Sequence, residues 1–211
     1  MSHATVLVLL SPGTPTDDLD AAIRPLLAPY SENMEVPEYD EPCWCVGSDA
    51  QNEARLAADA SCGTLDDLRA SFKNRHDDTA WGAHVKPYQD ACAAALAAHP
   101  GKDAADPACS DCAGSGTRKS TYNPKSKWDW YTVGGRWSGR IPNDACAVAD
   151  LPAGWAPFAL VTPDGEWHES GKLGWFGMSS GNVEPSAWDA TVREMLAQHA
   201  DAFAVLVDYH I

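Results

Sequence analysis

The chain opens with an unbroken apolar stretch. Thr5–Leu10 reads TVLVLL, β-branched or aliphatic at nearly every position, and Phe203–Val207 forms a second such run near the other end. Strands apolar at consecutive positions are buried on both faces and belong in the middle of a sheet. The two runs are therefore predicted to be central neighbours, and antiparallel pairing would bring His3 close to Asp208 and His210. Between them the pattern changes repeatedly. Pro12, Gly13 and Pro15 end the first strand, and Thr16 is expected to cap a helix that opens with Asp17 and Asp18 and carries Leu19, Ile23, Leu26 and Leu27 on its apolar side. Pro25 and Pro29 weaken its second half.

Residues 30–47 lack a period and read as an ordered loop. Residues 52–98 are helical in composition: one helix starts at Thr64, and a second segment runs from about Thr79 to Ala98 with a break near Pro87. Phe158–Thr162 and Glu166–Glu169 flank Pro163-Asp164-Gly165, a hairpin signal. Pro185 suits the first turn of a helix carrying Trp188, Val192, Met195, Leu196 and His199 on one face. The order predicts an α+β fold: an antiparallel or mixed sheet with helices on one face, of ferredoxin-like tendency. Residues 1–47 and 106–211 would form the α+β domain with the cysteine-bearing loops, and residues 48–105 a helical insertion.

The apolar share of 45%, with nine Trp, suffices for a sizeable core in 211 residues. The net charge of -15 opposes binding to an extended nucleic-acid duplex. Its acids are scattered, which suits a solvated surface; Glu32, Glu35 and Glu38 are a loose acidic set of that kind. No segment reaches the ~20 apolar residues of a membrane span, and the first ten residues read as a strand and not a signal peptide. The expected compartment is the cytoplasm, where thiols and metal ligands outnumber disulfides. A cysteine count of seven also leaves no fully paired set.

Four of those cysteines carry the most specific chemical signal. Cys43-Trp44-Cys45-Val46-Gly47 and Cys109-Ser110-Asp111-Cys112-Ala113-Gly114-Ser115-Gly116 are two tight turns, each presenting two thiolates, with glycines that let backbone N–H groups turn toward sulfur. Together they offer the four soft ligands of a structural zinc ion, with His99 in reserve; the same cysteines also suit plain burial or, at Cys109 and Cys112, a redox pair. Cys62, Cys92 and Cys146 read as packing residues.

From Arg118 to Arg140 the composition shifts. Six of the fifteen Lys and Arg fall in these 23 residues against one acid, Asp129, and Tyr122, Trp128, Trp130, Tyr131 and Trp137 are interleaved with them. Cations beside flat rings suit a nucleotide, with charge for phosphate and a π-face for the base. Gly134-Gly135 would allow close backbone approach to a ligand, and Arg136 would recognise its oxyanion. The same pattern also suits a core, with Trp128 and Trp130 alternating inward under a solvated basic cover. His3, Asp208 and His210 form a second candidate, for metal binding or acid–base chemistry, or are simply polar strand ends.

The blocks MSHATVLVLL, LLAPYSENMEVPEY, TYNPKSKWDWYTVGGRWSG and VLVDYHI resemble a family of uncharacterised bacteriophage and actinobacterial proteins. CxxCxGxG at Cys109–Gly116 resembles one half-site of the DnaJ zinc knuckle, over eight residues only. The phage resemblance implies an intracellular accessory protein, and it carries no catalytic residues across. Its blocks contain Asn33, Trp128, Trp130, Gly134, Gly135, Arg136, Trp137 and His210, expected to surround one cleft. Three functions stay open at this point: a binding module for an anionic, nucleotide-like small molecule; a nucleotide or phosphodiester hydrolase using Arg136 with His210, Asp208 and His3; and an acidic module that docks on a host protein.

Overall fold

The computed structural model describes residues 2–73, 78–174 and 179–211. Residues 74–77 of the expected helical stretch lie outside the described residues. The chain divides into two compact units, residues 1–37 with 121–211, and residues 38–120. The predicted insertion, residues 48–105, falls inside the second unit. That unit also takes in both cysteine loops, because the strands leading to and from them pair with each other.

The first unit is built on a six-stranded mixed sheet. Strand β1 (His3–Leu10) and the last strand, Phe203–His210, pair antiparallel along their full length, with His3 opposite His210 and Leu10 opposite Phe203. They are the central pair that their apolar runs predict. Each side chain in such a strand alternates between faces. Ala4, Val6, Val8 and Leu10 pack with Val205, Val207 and Tyr209 on one face, and Leu7 and Leu9 with Ala204 and Leu206 on the other.

Both faces therefore need cover, and the helices divide between them instead of sharing one. Helix α1 (Leu19–Leu27) lays Ile23 and Leu27 on the first face. Its cap is Asp18 and not the expected Thr16, because the helix starts only at Leu19; the Asp18 carboxylate accepts from the Ala21 N–H at 3.0 Å. On the second face, a helix at Pro185–Gln198 buries Trp188, Val192 and Met195, spaced at helical intervals. Pro185 sits in its first turn, and the Glu184 side chain caps the Ala187 N–H at 3.1 Å.

The second unit starts with β2 (Tyr39–Pro42), followed by α2 (Ser48–Cys62), α3 (Leu65–Ser71), α4 (Asp78–Ala98) and β3 (Thr117–Ser120). Strands β2 and β3 form an antiparallel ribbon, Tyr39 opposite Ser120 and Pro42 opposite Thr117. Thr64 and Asp67 form the capping box that starts α3. Helix α4 runs through Pro87 without the expected break, although a proline inside a helix loses its N–H bond and crowds the carbonyl one turn before it. Its Val85 and Tyr88 are buried, as are Ala50, Ala54 and Ala58 of α2.

The remaining strands of the first unit are β4 (Trp130–Val133), β5 (Ala145–Ala147), β6 (Ala159–Val161) and β7 (Trp167–Glu169); Lys172–Leu173 (β8) and Ser179–Ser180 (β9) form a separate small ribbon. The helix at Pro185–Gln198 is α5 and the strand at Phe203–His210 is β10. β4 and β5 both pair with β10, β6 runs parallel to β1, and β7 closes the other edge. The β6–β7 hairpin turns at Pro163-Asp164-Gly165, where Gly165 takes φ +87°.

Candidate metal centre and ligand site

The β2–β3 ribbon continues into the two cysteine turns through the Cys43 N–H, which donates to the Gly116 carbonyl at 2.9 Å. That register stacks one turn on the other. Cys43 and Cys109 sulfurs lie 3.6 Å apart, and Cys45 and Cys112 sulfurs 3.4 Å apart. All four sulfurs fall within 4.8 Å of one another, and all four residues are buried. A tetrahedral ion with bonds of about 2.3 Å sets its sulfurs about 3.8 Å apart, so the quartet can hold a metal ion with little movement. His99 is not among them. It pairs with Glu53 at 2.9 Å and accepts the Gly101 N–H at 3.0 Å.

The surroundings of the sulfurs are unequal. Burial pushes the Cys45 thiol up to about 12, against the Asp106 N–H that favours its thiolate. Cys43 is raised too; the Cys45 N–H favours its thiolate but is outweighed by burial and the neighbouring thiols. At Cys112 burial opposes ionisation, but the Gly116 and Gly114 N–H groups and the Cys45 and Cys43 thiols bring it down to about 7. The glycines after the second turn thus orient N–H groups at a sulfur, as their spacing predicts. A dication entering the quartet would replace the remaining thiol protons.

The aromatic and basic segment does not form one site. Strand alternation splits β4. Trp130 and Thr132 stand opposite His210 and Asp208, while Tyr131 and Val133 stand opposite Tyr209 and Val207 on the other face. Trp128 joins the α1 side, its indole N–H donating to the Leu27 carbonyl at 3.0 Å. Trp128, Tyr131 and Asn33 line an open groove of about 470 Å³ with Asp20, Arg24 and Met34. Trp130, Trp137, Asp208, His210 and His3 belong to the α5 side. The single cleft expected around all of these residues is therefore not formed.

The basic cluster is likewise dispersed. Arg118 pairs with Glu41 at 2.6 Å, Lys119 with Asp40 at 3.0 Å, and Lys127 with Glu169 at 2.6 Å. Lys125, Arg136 and Arg140 make no ion pair among the described residues. Gly134-Gly135 admits the protein's own carboxylates and not a ligand. A Cβ on Gly134 would stand 2.3 Å from an Asp144 oxygen, and one on Gly135 2.5 Å from the Asp208 Cβ. Arg136 contributes its backbone N–H, which donates to Asp208 Oδ2 at 3.0 Å, while its side chain is exposed and lines no described pocket.

Of the Arg136 and Arg140 guanidinium groups, the one beside a pocket is that of Arg140. It lies 5.9 Å from the Trp137 ring centre. Both residues, with His3, Ala4, Thr5, Trp155 and Phe158, line a hollow of about 250 Å³. The Trp137 indole N–H is buried and has no hydrogen-bond partner among the described residues. Sequence reasoning named Trp137 and His3 but missed Arg140 and Trp155. Arg140 was visible as a second arginine beyond the Gly-Gly turn; Trp155 sits in a loop with no period to mark it.

At the edge of this face the predicted strand pairing sets up a polar network. His3 Nδ1 lies 2.9 Å from Asp208 Oδ1, and His210 Nδ1 lies 2.6 Å from Asp129 Oδ1. The His3 and His210 ring centres are 4.9 Å apart, and Trp130 stacks on His210 at 5.2 Å. Asp208 and His210 are buried. No helix among the described residues is long and apolar enough to cross a membrane. Comparison with protein-family models, with curated proteins and with solved structures found no match for this chain.

Proposed function

We propose that the protein is a zinc-braced binding protein for a small phosphate-bearing, nucleotide-like ligand. The observation that carries this reading is Arg140: in a chain of net charge -15, it is a cation without an acidic partner among the described residues, held beside Trp137 at a pocket. A planar guanidinium suits an oxyanion, and the adjoining indoles offer faces for a flat ring. The hollow of about 250 Å³ suits one small headgroup and not a polymer. The cysteine quartet, closed and buried, suits structural zinc more than catalytic zinc, since four protein sulfurs leave no open position. Resemblance to phage-encoded proteins suggests an accessory role in a host cytoplasm, where such a protein would capture a nucleotide.

One feature favours turnover as a second reading. His3 borders the same pocket and is oriented through Nδ1 by buried Asp208, as a general base would be. Calorimetric titration with AMP, GMP and inorganic phosphate tests the first reading, with product assay of the same mixtures testing the second. Saturable binding is expected, weakened at least tenfold by Arg140→Ala and little changed by Arg136→Ala. Absence of saturable binding to all three probes, or binding indifferent to Arg140→Ala, would refute the assignment.

A further inference from the structure

The cysteine quartet is the one group of three or more metal-ligating side chains that lie close enough together among the described residues. The two histidines across the central strand pair have a different character. His3 and His210 are direct partners in the β1–β10 register. Each places Nδ1 against a carboxylate, Asp208 at 2.9 Å and Asp129 at 2.6 Å. Neither Nε2 has a hydrogen-bond partner among the described residues, and that of His210 is buried. A neutral imidazole that donates from Nδ1 to a carboxylate keeps a lone pair on Nε2, the tautomer that a metal ion requires.

The carboxylates are themselves fixed. Asp208 accepts the Arg136 N–H at 3.0 Å, and Asp129 accepts the Trp130 N–H at 2.7 Å. Two imidazoles bound to one tetrahedral ion through bonds of 2.0–2.1 Å place their ring centres about 5 Å apart. The observed separation is 4.9 Å. Charge points the same way. Two carboxylates, Asp208 1% exposed and Asp129 28%, share the site without any lysine or arginine side chain paired to them among the described residues. Buried negative charge of that kind calls for compensation.

We propose that His3 and His210 form a second metal site, for a divalent transition ion of the zinc, cobalt or nickel class, with Asp208 and Asp129 orienting the ligands. Two protein nitrogens leave coordination positions for water or an exogenous ligand, unlike the closed cysteine site. The site stands on the β1–β10 register and does not depend on nucleotide binding.

The test uses full-length protein with its cysteine site filled by zinc, titrated with further Zn²⁺ by calorimetry, with X-ray absorption reporting the ligand atoms. One additional equivalent is expected, adding a nitrogen and oxygen shell to the sulfur shell. His3→Gln and His210→Gln should each abolish it, and Asp208→Asn should weaken it by about 10–100-fold, as loss of a ligand-orienting carboxylate does. Near-UV circular dichroism and an unchanged cooperative transition of the first unit show that each variant is folded. A wild-type chain that takes up no second equivalent overturns the proposal without any variant. A second equivalent that survives both histidine substitutions overturns it equally.

Discussion

Removing one cysteine of the quartet should unfold the second unit and spare the first. Beyond the cysteines, the buried apolar side chains of the second unit are Ala50, Ala54, Ala58, Val85 and Tyr88 among the described residues. Burying Val or an aromatic residue contributes about 1.5–3 kcal/mol, and each alanine methyl about 0.8 kcal/mol. Their sum stays below roughly 10 kcal/mol. A structural zinc ion supplies about 10–16 kcal/mol, comparable with the whole stability of an ordinary domain. A zinc ion held by the quartet would therefore contribute at least as much to folding this unit as its buried apolar side chains do. Helices α2, α3 and α4 hold 15, 7 and 21 residues, against 9 and 14 in α1 and α5. Cys109→Ala, or exhaustive chelation, should thus remove about two thirds of the helical ellipticity at 222 nm. The cooperative transition of the first unit, whose two core clusters contain no residue of the second, should persist. Cys62→Ser, outside the quartet, should do neither. Full ellipticity and an unchanged melting profile in Cys109→Ala would refute the reasoning.

Two further outcomes follow from local geometry. Gly135→Ala forces a left-handed residue, φ +53°, to carry a Cβ 2.5 Å from Asp208 Cβ. It should cost about 2–5 kcal/mol from strain and overpacking, read as a lowered urea midpoint. Gly139→Ala, also left-handed but with open space around it, should cost clearly less, and equal costs would contradict the packing described. Metal uptake at the cysteine quartet should strengthen steeply with pH. Cys45 and Cys43 are raised above the ordinary thiol value and stay protonated near neutrality, so the ion must displace at least their two protons. Cys112, lowered to about 7, gives up its own proton as pH rises through that value and adds to the dependence below it. The sign is therefore tighter binding at higher pH, by at least about a hundredfold per unit between pH 7 and 8, measured by chelator competition. An affinity flat in pH would contradict it.

The sequence disclosed more of the scaffold than of the ligand site. Consecutive apolar residues in β1 and β10 can be satisfied only by burial on both faces, so their central place, and with it the meeting of His3, Asp208 and His210, was legible. The cysteine turns were legible because spacing and following glycines constrain metal geometry locally. The aromatic block was not. Its residues are adjacent in sequence, but a strand sends neighbours to opposite faces, so Trp130 and Tyr131 part company. Nor does composition show pairing across strands, which neutralises Arg118 and Lys119 against the acids of β2. Arg136 and Arg140 differ only in where a short turn after Gly135 leaves each guanidinium, a matter of backbone geometry that composition does not encode.

The central strand pair also has a consequence for the order of events during synthesis. His3 meets a partner 205 positions further on, so β1 leaves the ribosome long before β10 exists. Contacts that distant close slowly. The second unit lies wholly inside that interval, with its ribbon and cysteine turns available for metal capture while β1 still waits. Until β6 and then β10 emerge, β1 is an apolar strand with unpaired edges, the kind of segment that draws nascent chains together. Yield in the cell should then depend on how well that segment is shielded until translation reaches Phe203.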